Sequence, residues 1–175
     1  MNEQEIFEKN NPIPITNFQI LRNNSSVELN KIFTDDYKYY LIKLKAEFKN
    51  KKDEDGYICM DFKIGEKDYL CHNSLSIEYL NPKLEITENN IIISKTYNNM
   101  VCYIHILNPN TSFDKSIIFN SNENKVYGSY SINSSIQFDG VRFFIWKPDY
   151  VEHNKFTKIF VNVYGYKDIL DIDFF

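Results

Sequence analysis

The sequence predicts an all-β protein, an antiparallel β-sandwich that works by binding rather than by catalysis. Three observations carry the prediction. The apolar residues are mainly Ile, Val, Phe and Tyr, with 14 Phe and 13 Tyr, and Ala46 is the only alanine. β-Branched and aromatic side chains fit a pleated, half-buried surface, whereas alanine is the best helix former. Several stretches alternate apolar and polar residues with the strand period. Short apolar runs are separated by Asn-, Gly- or Pro-bearing turns at a spacing of about ten residues, as in sandwiches and barrels. A chain of 175 residues, 43% hydrophobic, is large enough to bury about 70% of its unfolded surface in one core.

Residues 1–16 read as an N-terminal arm, and residues 17–175 as a single β-sandwich domain. In the arm, Pro12 and Pro14 interrupt helix and sheet ladders alike. Its apolar residues are Ile6, Phe7, Ile13 and Ile15, and they are the candidates to anchor it to a neighbour. Two short helices fit the spacing, Asn2–Lys9 and Ser26–Phe33, the latter through Val27, Leu29 and Ile32. Neither is long enough to change the fold class.

From Tyr39 the strand pattern is strict. Tyr40, Ile42, Leu44, Ala46 and Phe48 share one face of Tyr39–Lys49, and Lys43, Lys45, Glu47 and Lys49 the other. The polar stretch Asn50–Gly56 leads into Tyr57–Ile64, where Ile58, Met60, Phe62 and Ile64 alternate with Cys59, Asp61 and Lys63. The two runs are expected to pair as an antiparallel hairpin with a long loop. Further strands are expected at Tyr69–Cys71, Leu75–Leu80, Leu84–Thr87, Ile91–Lys95, Val101–Leu107, Ser116–Phe119, Lys125–Ile132, Ile136–Trp146, Lys158–Tyr164 and Ile169–Phe174. Turns at Asn81-Pro82, Asn89-Asn90, Asn98-Asn99 and Asn108-Pro109 divide several of them.

Charge and composition argue against several functions. The net charge is −4, which opposes general nucleic-acid attraction. The basic group Lys49, Lys51 and Lys52 is answered at once by Asp53, Glu54 and Asp55. Cys59, Cys71 and Cys102 are an odd number, a poor disulfide framework, and fit reduced thiols in a cytoplasmic folding compartment. The polar, acidic N-terminus lacks a signal core. No run approaches the roughly 18 apolar residues of a membrane helix, so no membrane insertion is expected.

Chemistry is sparse. His72, His105 and His153 lack metal-site spacing. Cys102 and His105 are three apart on a strand and point to opposite faces, and Cys71 and His72, adjacent, diverge likewise. No Ser sits in a nucleophile elbow. The isolated glycines Gly56, Gly65, Gly128, Gly140 and Gly165 cannot build a phosphate loop and are expected at turns and bulges of positive φ. Carboxylates at Asp35-Asp36, Asp53–Asp55, Asp171 and Asp173 read as solvated loops or chain ends. A glycosidase would need two of them converging at roughly 5–10 Å, and calcium is the one ion such acidic loops suit. No catalytic residue and no cofactor is assigned. Tyrosines of opposite parity, Tyr39 with Tyr40 and Tyr127 with Tyr130, are expected to leave at least one ring of each pair facing solvent.

Three C-terminal segments, Ile106–Phe113, Tyr127–Trp146 and Lys158–Asp168, carry a resemblance over roughly residues 100–168. An Asn-Pro turn follows a strand. Ile136, Phe138, Gly140, Val141 and Phe143 then form an Ile-x-Phe-x-Gly-Val-x-Phe pattern, and Val161, Val163, Tyr164 and Gly165 close an apolar strand on Tyr-Gly. The pattern resembles β-sandwich, jelly-roll-like modules of bacteriophage tail and baseplate proteins, although Lys147–Lys155 carries none of the glycines usual in that loop. The resemblance implies a structural virion component of a tail or baseplate, made and folded in the host cytoplasm, whose partners are neighbouring subunits. Ile6, Phe7, Ile13, Phe174 and Phe175 are the interface residues expected from the apolar chain ends. The alternative expectation is a carbohydrate-binding module that stacks tyrosines on a host-surface sugar.

Overall fold

The structure, a computed structural model, describes residues 12–20, 25–48, 56–65, 68–69, 76–79, 91–95, 99–121, 126–133, 135–146 and 156–167. Its twelve strands are β1 (Ile13–Ile20), β2 (Ser26–Leu29), β3 (Tyr39–Phe48), β4 (Tyr57–Ile64), β5 (Asp68–Tyr69), β6 (Ser76–Tyr79), β7 (Ile91–Lys95), β8 (Asn99–Leu107), β9 (Lys115–Ser121), β10 (Val126–Asn133), β11 (Gly140–Trp146) and β12 (Phe156–Tyr166). They form two sheets. Sheet A has seven strands in the order β1-β12-β3-β8-β9-β10-β6, and sheet B has five, β2-β11-β4-β5 with β7 also paired to β4. Every pairing is antiparallel. The protein is an antiparallel β-sandwich.

The period-two pattern explains the core. In β3, Tyr40, Ile42, Leu44 and Ala46 are fully buried, and Phe48 nearly so, while Lys43 and Lys45 are exposed. The facing residues are Met100, Cys102, Ile104 and Ile106 of β8 and Ile159, Val161 and Val163 of β12. Sheet B contributes Val27, Leu29, Ile58, Met60, Phe62, Ile91, Ile93, Val141 and Phe143 to the same core. Each large side chain so buried contributes about 1.5–3 kcal/mol relative to exposure. Cys59 and Cys102 are free thiols within this packing, and burial pushes both well above the ordinary thiol range.

Four expectations need correction. Ser26–Phe33 is not a helix: Ser26–Leu29 is strand β2, paired with β11, because Val27 and Leu29, two apart, both face the core. The Tyr39–Lys49 and Tyr57–Ile64 runs do not form a hairpin. β3 lies between β12 and β8 in sheet A, and β4 pairs with β11, β5 and β7 in sheet B. The inward faces of both strands contribute to one core from different sheets, which satisfies the same alternation without pairing them. Ile13–Thr16, assigned to the arm, belongs to β1, which runs against β12 with a bulge between Pro14 and Thr16. Pro14 is tolerated because β1 is an edge strand among the described residues. The strand expected from Ile136 begins at Gly140. The runs Leu84–Thr87, Ile169–Phe174 and Asn2–Lys9 lie outside the described residues.

Glycines divide by cause. Gly65 has φ +68° and open space around it, as a turn requires. Gly140 and Gly165 have no such backbone; a side chain there would meet a neighbour. A Cβ on Gly140 would collide with the carbonyl oxygen of Leu29, and one on Gly165 would lie 2.6 Å from the Tyr37 ring. Gly165 therefore does not end the strand, which continues to Tyr166 with Gly165 paired to Ile13 and Tyr40. The Gly140 obstacle is backbone of the adjacent strand and cannot rotate away. Gly140→Ala should lower unfolding stability by about 1–3 kcal/mol, whereas Gly65→Asn should change it by only a few tenths, because asparagine tolerates the left-handed region, about as glycine does. Urea unfolding of the two variants checks the contrast.

Candidate functional site

Of the expected interface residues, Ile13 is the one the structure describes. It is half-buried in edge strand β1 opposite Gly165. Ile6, Phe7, Phe174 and Phe175 lie outside the described residues. Two other regions stand out: the outer face of sheet A, and a cleft where the two sheets meet at one end.

The outer face of sheet A is built by the alternate residues of four neighbouring strands. Register places Tyr164, Leu41, His105 and Ile118 in one row across β12, β3, β8 and β9. The next row along the strands holds Asn162, Lys43, Tyr103 and Asn120, and the row on the other side holds Tyr166, Tyr39, Leu107 and Ser116. A solvated sheet face normally alternates to polar residues. Here Tyr103 and Ile118 are each 37% exposed, and Leu41, His105, Leu107, Tyr164 and Tyr166 are half-buried. The cations present lie along rings rather than between them. Lys43 Nζ is 5.5 Å from the Tyr103 ring centre, and Lys45 Nζ is 5.9 Å from that of Phe160.

One end of this face is fixed by an aromatic group. Tyr39 packs 4.9 Å from Tyr166 and stacks 5.7 Å from His105, and its hydroxyl hydrogen-bonds to His105 Nδ1. Tyr39 and Tyr40 lie on opposite faces of β3, Tyr40 in the core, but against expectation neither ring faces solvent. Tyr39 is only 1% exposed, because Tyr166 and His105 cover it. Burial raises the Tyr39 and Tyr166 hydroxyls above the usual tyrosine range and lowers His105 below the usual histidine range. Cys102, three residues before His105, points into the core, so the two are on opposite faces as the strand spacing dictates.

The outer face of sheet B has a different chemistry. Lys63, fully buried, donates to Glu28 at 2.9 Å and also to Asn30, and Arg142 is paired with Asp61. Beside these ion pairs, Cys59 and Ile92 pack with Tyr57, Phe144 and Trp146.

The cleft, of about 410 Å³, is lined by Phe33, Thr34 and Asp35 after β2, Ile64 and Gly65 at the end of β4, Asn110 between β8 and β9, and Gln137, Phe138 and Asp139 before β11. Backbone bonds set its shape. Phe138 N–H donates to Pro109 O at 2.9 Å, Asp139 N–H to Lys63 O at 3.0 Å, and Phe33 N–H to Asp139 O at 3.1 Å. The Phe138 ring stacks on Phe62 with centres 4.4 Å apart. Tyr40 closes the Phe33 side: its hydroxyl donates to Thr34 O at 2.9 Å and accepts from Thr34 N–H at 2.7 Å. On the far side Lys115 Nζ donates to Thr111 O and Phe113 O, at 2.7 and 2.8 Å, which holds the β8–β9 loop. In the wall, Asn110 Nδ2 donates to Asp35 Oδ1 at 2.8 Å, and Gly65 N–H to Asp139 Oδ2 at 3.0 Å.

Sequence reasoning took Asp35 for a solvated turn residue and gave Asn110 and Asp139 no role. The available signal was the Asn108-Pro109 turn and the Phe-x-Gly pattern at Phe138, which mark the two loops that meet. Among the described residues no three His, Cys, Asp or Glu side chains gather at one point, and no helix is long and apolar enough to cross a membrane.

The His105 environment sets a pH dependence. Its folded-state pKa lies below the unfolded value near 6.5, so the unfolded chain takes up a proton first as pH falls. Stability from this group is complete above the unfolded value and declines as pH drops from there toward the folded value. The fall in melting temperature between about pH 7.5 and about pH 5.5 should be smaller in His105→Phe, which keeps the ring stack, than in the parent protein. Comparison of the chain with protein-family models, with curated proteins and with solved structures finds no match to any of them.

Proposed function

We propose that this protein is a structural component of a bacteriophage tail or baseplate, and that it acts by holding neighbouring subunits rather than by catalysis. The observation that supports this most directly is the outer face of sheet A. Tyr103 and Ile118 stand on adjacent strands, two residue pairs apart in register, with His105 beside both, and Leu41 and Tyr164 continue the Ile118 row across β3 and β12. Contiguous apolar surface on a sheet is the usual mark of a protein–protein contact, and aromatic side chains are enriched in the parts of interfaces that carry affinity. Lys43 and Lys45, on interior strand β3, lie along the Tyr103 and Phe160 rings and place two cations within this face.

The resemblance over residues 100–168 supplies the kind of assembly, and the sheet face supplies the means. Mass spectrometry of purified particles should find the chain in stoichiometric amount; its absence from them would end the proposal. Tyr103→Asp and Ile118→Asp each place a charge in the face without touching the core. Their melting temperatures should stay near that of the parent, while incorporation into particles falls by about ten-fold or more. Binding to host-surface glycans by a chain that does not enter particles would instead favour a carbohydrate-binding role.

A further inference from the structure

We propose that the cleft between the two sheets is a calcium site held by Asp35, Asn110 and Asp139. Two buried oxygens at the cleft lack a partner. Asn110 Oδ1 and Asp139 Oδ1 are shut off from solvent and receive no hydrogen bond. Asn110 is 8% exposed. A buried acceptor without a donor costs about 1–3 kcal/mol, and native proteins rarely leave two beside one cleft.

The orientation of the amide is fixed by chemistry. Asn110 Nδ2 donates to Asp35 Oδ1 at 2.8 Å. A flipped amide would set oxygen against carboxylate oxygen, so the unpartnered atom is the carbonyl. Asp139 is held in the same way from one side. Its Oδ2 accepts Gly65 N–H at 3.0 Å, leaving Oδ1 over. Asp35, exposed at the mouth of the cleft, has its Oδ1 engaged by Asn110. Two buried oxygens without donors, on Asn110 and Asp139, and the exposed carboxylate of Asp35 thus line the cleft from three separate loops.

The missing group is a cation. The cleft lining holds two carboxylates and no Lys, Arg or His. The nearby Lys63 and Lys115 are committed to Glu28 and to backbone carbonyls. An oxygen hidden from a water-sized sphere is still reached by a bare ion at about 2.3–2.6 Å. All donors are hard oxygens, with no thiolate or imidazole, a set that suits a hard cation better than zinc or copper. Their mixed carboxylate and amide character, and their placement on loops that can adjust, suit the irregular shell of calcium better than the octahedron of magnesium. Water would complete the coordination from the open side.

The isolated full-length chain tests this, independently of any assembly partner. After treatment with a chelator, calorimetric titration with calcium chloride should show saturable binding with a dissociation constant on the order of 10⁻⁴–10⁻³ M. The melting temperature should rise with calcium. Asp35→Asn, at an exposed position, should fold normally and weaken binding by about ten-fold or more, and Asp139→Asn should abolish it. Asp114→Asn, an exposed carboxylate outside the lining, should leave binding unchanged. No heat and no thermal shift at about 10 mM calcium would mean that ordered water alone fills the cleft and would overturn the proposal. So would an undiminished response in Asp35→Asn.

Discussion

The run Phe138–Gly140 is the contact on which the rest of the sandwich depends. In three residues it joins both sheets. Phe138 reaches the β8–β9 loop of sheet A through Pro109, while Asp139 is bonded to Lys63 and Phe33 on the sheet B side. The Phe138 ring fills the core against Phe62, and Gly140 lets β11 close onto β2. The parts are mutually dependent. A ring seated at Phe62 aligns the backbone for its bonds, and those bonds hold the chain close enough that position 140 admits no side chain. Packing and hydrogen bonding therefore act here as one constraint. The cleft is the space this constraint leaves at the mouth of the two sheets.

What was legible in the sequence follows from the range of the interactions. The strands β3, β8 and β12 were readable because burial alternates strictly along each of them, and alternation is a local property. The sandwich class followed from many such runs between turns. β2 was misread because Val27, Leu29 and Ile32 satisfy helical and extended spacing equally well over so few residues. The pairing of β3 was misassigned for another reason. Its neighbours β8 and β12 are distant in sequence, and the alternation of β4 is compatible with lying beside β3 or facing it. The Phe-x-Gly pattern at Phe138 was visible, but its role was not, since Leu29 and Pro109 come to it only in the folded chain.

The two candidate surfaces differ in the same respect. The apolar face of sheet A is a direct sum of parities, and tyrosines of opposite parity were a hint of it. That Tyr39 would be covered required knowing that Tyr166 and His105 flank it. The cleft left only the turn signals of two of its loops, Asn108-Pro109 and the Phe-x-Gly pattern at Phe138. Asp35, Asn110 and Asp139 each look like ordinary turn residues, and they line one cleft only once their three loops are folded together. A broad face suits a macromolecular partner, whereas a small recess lined by oriented oxygens suits an ion. Their positions on different elements allow the two to act independently.

The placement of β12 between β1 and β3 has a kinetic consequence. Sheet A cannot acquire its β1 edge until a strand made some 140 residues later arrives, so closure of that edge carries one of the largest loop-closure entropies in the domain. All-β chains with such distant pairings fold in roughly milliseconds to seconds rather than microseconds. During synthesis the β3–β8–β9–β10 ribbon can form first, with the β3 edge that later accepts β12 still unpaired. An open strand edge of this kind is the point at which a nascent chain is most exposed to mispairing with another copy. The bulge at Pro14 in β1 then limits the same hazard on the finished edge.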